Sequence, residues 1–170
     1  MREEIEGSRH MKFLLETPTR FKWTLNLYPP LWGTGIWVEH VSKDFREVVV
    51  TMAPRFYNRN AFGGHFGGSL AAMTDPFPSL MLMQILGPDY RIIDSATHIQ
   101  FLALARGKVK AHFSIDEEML TAIREMSADG DKHIFSIPVA ITDEEGAEVA
   151  SVDKAIYIRL RRELRPELSG

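Results

Sequence analysis

Cysteine is absent from the 170 residues, and with it go disulfide scaffolds, thiolate nucleophiles and sulfur-ligated zinc. A chain without disulfides is expected in the cytoplasm. An excess of one charge sign is also missing: the formal net charge is -3, with 25% charged residues of mixed sign, so no basic field draws nucleic acid through counterion release. Long apolar runs are missing too. The longest nearly apolar stretch, Phe77 to Leu86, is interrupted by Pro78, Ser79 and Gln84 and reaches about half the roughly 20 residues that a bilayer crossing needs. Neither nucleic acid nor a membrane is an expected partner. The six histidines show none of the close pairing of a zinc helix motif, so no metal is expected. Residues 1–10 carry Glu3, Glu4 and Glu6, lack the apolar stretch of a secretory signal, and read as a disordered tail. No repeat or linker divides the remainder, so residues 11–170 are expected to form one domain, large enough to bury roughly 70% of its unfolded surface.

What is there has a readable order. Phe21, Leu25 and Tyr28 fall at helical spacing after Thr17, until Pro29-Pro30 stops the pattern. Ile36 to Val41 and Phe45 to Met52 are β-branched and aromatic and flank Ser42-Lys43-Asp44, a hairpin signature. From Gly64 to Leu86 the period changes: Leu70, Met73, Phe77 and Leu80 recur at three and four, which predicts a long apolar helix started by glycines. Strands are predicted again at Arg91 to Ala103 and Lys108 to Ile115, followed by a short helix capped by Asp116 and ending near Gly130. A last hairpin joins His133 to Ile141 with Glu148 to Leu160, and Pro138 predicts an edge or a bulge. This order predicts an α+β fold whose antiparallel sheet buries its apolar face around the central helix.

The segment from Asn60 to Asp75 carries the chemistry. A glycine-rich start leaves the first N–H groups of the helix uncovered, and Gly67 and Gly68 are the candidates to polarise a carbonyl oxygen that becomes an oxyanion during acyl transfer. Asp75, eight positions on, is the only carboxylate between Glu47 and Asp89. It can act as general base for water or as a nucleophile. Asn60 offers a donor and an acceptor to orient the reacting group. Taken alone, each feature also has a plain structural reading: glycines make turns, and a single helix Asp often faces solvent.

Asn60, Gly67, Gly68 and Asp75 reproduce a pattern Asn-x6-Gly-Gly-x6-Asp, and on these residues the chain resembles the hotdog-fold thioesterases, in particular those of acyl-CoA and phenylacetic-acid pathways. It is most similar to the branch described as domain of unknown function 4442, through Asn60, Gly63, Phe66, Gly67, Gly68, Asp75 and Pro76. The resemblance runs from about Thr17 to Arg162 and includes Asp94. It implies a hotdog fold and hydrolysis of an acyl-CoA or other acyl-thioester, with no cofactor beyond the coenzyme A of the substrate. Gly67 would hold the thioester carbonyl, Asn60 would assist, and Asp75 would act across a homodimer interface, in a dimer or a dimer of dimers. Gly68, His65, Phe66 and Asp94 would line the substrate.

Two departures stand out. Phe66 takes the place before the Gly-Gly pair where related enzymes carry His, and Pro76 predicts a kink directly after Asp75. They motivate a second reading, a non-catalytic acyl-thioester-binding protein on the same fold. A hydroxyacyl-thioester dehydratase is a third, since Gly64-His65-Phe66 resembles its motif, although the acid expected 14 residues after the His is Ser79 here. Gly67-Gly68-Ser69-Leu70-Ala71 is one residue from a serine-hydrolase elbow but lacks the alternating βα setting. Met73, Met81 and Met83 with Phe77 and Leu80 suit either an acyl tunnel or plain core. Arg91, Arg106, Lys108 and Lys110 suit either coenzyme A phosphates or an ordinary charged surface.

Overall fold

Thr17 Oγ1 accepts the Arg20 N–H at 3.3 Å and caps helix α1 (Pro18–Leu27), whose first position is a proline that needs no N–H there. The computed structural model describes residues 13–164; the expected tail at 1–10 lies outside them. Pro29-Pro30 ends α1 as expected and then starts a single turn, α2 (Pro29–Trp32), because the fixed φ of proline suits a helix start. Strands β1 (Ile36–Val41) and β2 (Glu47–Met52) form the expected hairpin. The second strand begins two residues later than its composition predicts. Phe45 sits at φ 60° in the turn, which Ser42 and Asp44 close through side-chain hydrogen bonds to the backbone of Glu47 and Arg46.

The predicted central helix is interrupted. It runs as α3 (Gly67–Ala72) and α4 (Phe77–Leu86), with Met73 to Pro76 between them. Pro76 does more than kink it. Thr74 and Asp75 bond back only three residues, to the Ala71 and Ala72 carbonyls at 3.1 and 3.3 Å, and Pro76 becomes the N-cap of α4. The apolar period carries on across the break, which is why spacing alone reads one helix.

After it come β3 (Tyr90–Phe101), β4 (Val109–Ser114), α5 (Glu117–Ser127), β5 (His133–Thr142) and β6 (Glu148–Leu160). Asp116 caps α5 by accepting the Met119 N–H at 2.7 Å, and Gly130 turns the chain at φ 77°. The six strands make one antiparallel sheet in the order β1-β2-β4-β5-β6-β3. Alternate residues of β2, β4, β5 and β6, among them Val50, Ala111, Val139 and Ile156, are buried together with Phe77, Met81 and Leu82 of α4. The Phe77 and Phe113 rings meet at 5.1 Å. Met73 and Met81 belong to this core, whereas Met83 is exposed. Pro138 pairs with β6 on one side, while β4 meets β5 only at Ile141 and Thr142, so the residue without an N–H lies where β5 has one neighbour.

The two edges of the sheet are treated differently. At β1 the buried Asn26 of α1 stands in for a further strand: its Oδ1 accepts the Val38 N–H at 2.7 Å and its Nδ2 donates to the Val38 carbonyl at 3.1 Å. Asn26→Ala is expected to lower stability by about 2 to 4 kcal/mol, because it strands both groups of a fully buried residue. Urea unfolding with an unchanged m value checks this. At the other edge, β3 pairs with β6 alone, and most of its residues are exposed. An uncovered edge of twelve residues bearing Ile93 and Phe101 is a template for another strand.

Candidate active site

The break after α3 turns Asp75 outward. Its side chain is 69% exposed, and one oxygen, Oδ1, accepts a hydrogen bond from Lys154 Nζ at 3.1 Å. Lys154 lies on the inward row of β6 between Val152 and Ile156 and is fully buried. The same Nζ lies 3.1 Å from Asp94 Oδ1 and donates to Thr97 Oγ1 at 2.9 Å.

A bulge in β3 makes this meeting possible. Side chains alternate faces along a strand, so residues 94 and 97 would ordinarily point to opposite sides. The pairing with β6 shifts between Asp94 and Ala96: Asp94 stands opposite Ile156 and Thr97 opposite Lys154, with Ser95 as the extra residue. One inserted residue restores both side chains to the inward face. Asp75 and Asp94 would repel each other unaided, and the Lys154 ammonium supplies the opposite charge.

The remaining predicted residues form a second group. Asn60 binds its own loop: Oδ1 accepts the Phe62 and Gly64 N–H groups at 2.9 and 3.1 Å, and Nδ2 donates to the His65 carbonyl at 2.9 Å. One N–H of its amide is left. His65 is buried, and its Nε2 lies 2.8 Å from the Gly107 carbonyl, which can only accept, so that nitrogen carries the proton. Its Nδ1 is buried and has no partner among the described residues. Phe66 is exposed and lays its ring over Gly68, where any Cβ would collide with it. A Cβ on Gly64 would press on Leu104 and come within 2.9 Å of the Ala105 carbonyl. The backbone contact requires glycine at Gly64 and the φ of 79° favours it at Gly63, whereas the exposed Phe66 ring can swing away from Gly68. Phe66, the N-cap of α3, makes no side-chain cap, and neither the Gly67 nor the Gly68 N–H has an acceptor among the described residues.

The two groups stand apart within one chain. Gly67 lies against the Phe101 ring, whereas Asp75, beyond the helix break, is tied through Lys154 to Asp94 and Thr97, and no hydrogen bond joins the two groups among the described residues. Lys108, one of the basic candidates, is engaged elsewhere: it pairs with Glu39 at 2.6 Å and, with Thr51, holds that carboxyl below the usual range. It lines an open groove of about 370 Å³ with Trp32, Trp37, Arg55 and Tyr57, which includes neither Asp75 nor Gly67.

Lys154 and Thr97 are the residues that the motif reading misses. A signal for Lys154 exists in the alternation Val152, Lys154, Ile156, Ile158, which puts a cation on an otherwise apolar row. Thr97 has none, since its face depends on the bulge.

Residues 18–158 match the model of the family described as domain of unknown function DUF4442. The chain belongs to this family. Solved structures of similar fold include a Pseudomonas aeruginosa protein of unknown function named a probable thioesterase, with a TM-score of 0.73 and 19% identity over 85% of this chain and 97% of that one. A Chlorobaculum tepidum protein of unknown function has a TM-score of 0.67 and 18% identity over 85% and 98%. A thioesterase from Haemophilus influenzae has a TM-score of 0.61 and 15% identity over 89% and 94%. No curated protein matches the chain. At these identities the likeness shows the fold, and this DUF4442 protein has the hotdog fold of those thioesterases. Among the described residues no helix is long and apolar enough to cross a membrane.

Proposed function

We propose that this DUF4442 protein is a cytoplasmic hydrolase of acyl-CoA or another acyl-thioester, in which Asp75 activates water or attacks the carbonyl directly. The observation that carries this reading is the Asp75 carboxylate at the break of the central helix, with Oδ1 held by Lys154 and the other oxygen open. The uncapped Gly67 N–H is the oxyanion donor, for which one well-placed group is worth about 3 to 4 kcal/mol of barrier. Asn60 fixes the loop before it and keeps one amide N–H for the reacting group. Gly68, Phe66 and Asp94 flank the substrate, while the buried His65, expected beside it, pins the loop to Gly107 behind them.

The separation of Gly67 from Asp75 fits a site built from two copies. A carbonyl hydrogen-bonded to one chain's Gly67 can be attacked by the partner's carboxylate, provided the open β3 edges pair across a two-fold axis. The partner would also supply a wall for Asp75, which is open to solvent in one chain.

Thiol release from short, medium, long and aromatic acyl-CoAs tests the activity. Turnover of at least one class is expected. Measurable binding without turnover of any would favour the non-catalytic binder instead.

A further inference from the structure

A lysine with no exposed surface on the apolar row of a strand costs stability, since desolvating an ammonium is rarely repaid in full by its ion pairs. Lys154 is not required to rescue buried acids. Asp75 is 69% exposed and Asp94 36% exposed, so water can solvate both without it. Nor can it reach a substrate. An ammonium has three N–H donors, and this one meets three oxygens, on Asp75, Asp94 and Thr97, from beneath the surface.

Three separate local features converge on that nitrogen: the helix break at Pro76, the bulge at Ser95 and the inward register of β6. We infer that Lys154 is a positioning residue, which clamps Asp75 through Oδ1 and Asp94 beside it so that the second Asp75 oxygen is presented in one orientation to the reacting group. The inference rests on Asp75 as the working carboxylate. It adds a residue that the Asn-Gly-Gly-Asp pattern does not contain, and it gives the two Asp75 oxygens different tasks.

Lys154→Met removes the charge and keeps the length and apolar stem; Lys154→Arg keeps a cation able to hold two carboxylates. The full-length variants are compared with the wild type by crystallography, thermal unfolding and thioester kinetics. Lys154→Met is expected to unfold at or above the wild-type midpoint and to show Asp75 spread over several rotamers. Its kcat should fall about 10- to 100-fold with KM unchanged, as displacement of a catalytic group by about an ångström can cost 10²-fold. Lys154→Arg should recover part of kcat.

An Asp75 as well ordered in Lys154→Met as in the wild type would overturn the inference, as would undiminished kcat. A midpoint lowered by about 10 °C or more would assign Lys154 to stability instead. If the wild type hydrolyses no thioester but Asp75 loses its order in Lys154→Met, the clamp stands and only the thioesterase reading fails.

Discussion

Asp75→Asn is expected to reduce thioester turnover by about 10²- to 10⁴-fold, the range for losing general acid–base help, with little change in the unfolding midpoint. The substitution preserves shape and removes the charge that abstracts a proton or attacks a carbonyl. It leaves the anchor in place, because an amide oxygen can still accept the Lys154 N–H that now reaches Asp75 Oδ1 at 3.1 Å. Folding should be nearly indifferent: the side chain is 69% exposed, and Asp94 continues to neutralise Lys154. Binding should also survive, since the uncapped Gly67 and Gly68 N–H groups and the exposed Phe66 ring are untouched. The loss should therefore appear in kcat, not KM. Full activity in this variant would remove Asp75 from the mechanism and return the segment to a purely structural role.

The elements that sequence pattern resolves best are those whose neighbours enforce it. β4 alternates Val109, Ala111 and Phe113 inward because one face of the sheet is buried, and Asp116 declares the start of α5 through its own cap. The pairing order β1-β2-β4-β5-β6-β3 is not local, and nothing in the spacing of the strands dictates that β3 crosses to the far edge. Period fails at Pro76, where the apolar repeat continues while the backbone hydrogen bonds do not. Asn60, Gly67 and Asp75 are visible as a spaced motif, but their surroundings are not. Asn60 is spent on its own loop, to Phe62, Gly64 and His65, and the inward turn of His65 depends on Gly107 in the chain after β3. Lys154 is legible in principle, as a cation among Val152, Ile156 and Ile158. The spaced motif does not contain it, because its members are close in sequence and Lys154 is 79 positions from Asp75.

Ile93→Lys combined with Leu102→Lys is expected to convert the proposed homodimer into a folded monomer and to lower thioester turnover by about 10²-fold or more, the cost of losing one catalytic group. Both residues are exposed apolar side chains, at and just beyond the edge strand that β6 covers on one side only. The opposite edge shows how this protein treats a strand that must not pair: α1 lies over β1, Asn26 satisfies the Val38 backbone, and Lys22 donates to the Glu39 carbonyl at 2.7 Å. No such cover exists over β3 among the described residues. Lysines placed there repel their counterparts across a two-fold axis and keep the edge hydrated. Exposed positions make little contribution to the core, so circular dichroism and the unfolding midpoint should stay close to wild type. Sedimentation then reports the oligomeric state independently of activity. Because Gly67 lies against Phe101 while Asp75 is tied through Lys154 to Asp94 and Thr97, with no hydrogen bond joining the two groups among the described residues, a monomer is not expected to bring both to one carbonyl. A monomeric variant with undiminished turnover would refute the shared site, and a wild type that sediments as a tight monomer would refute the interface itself.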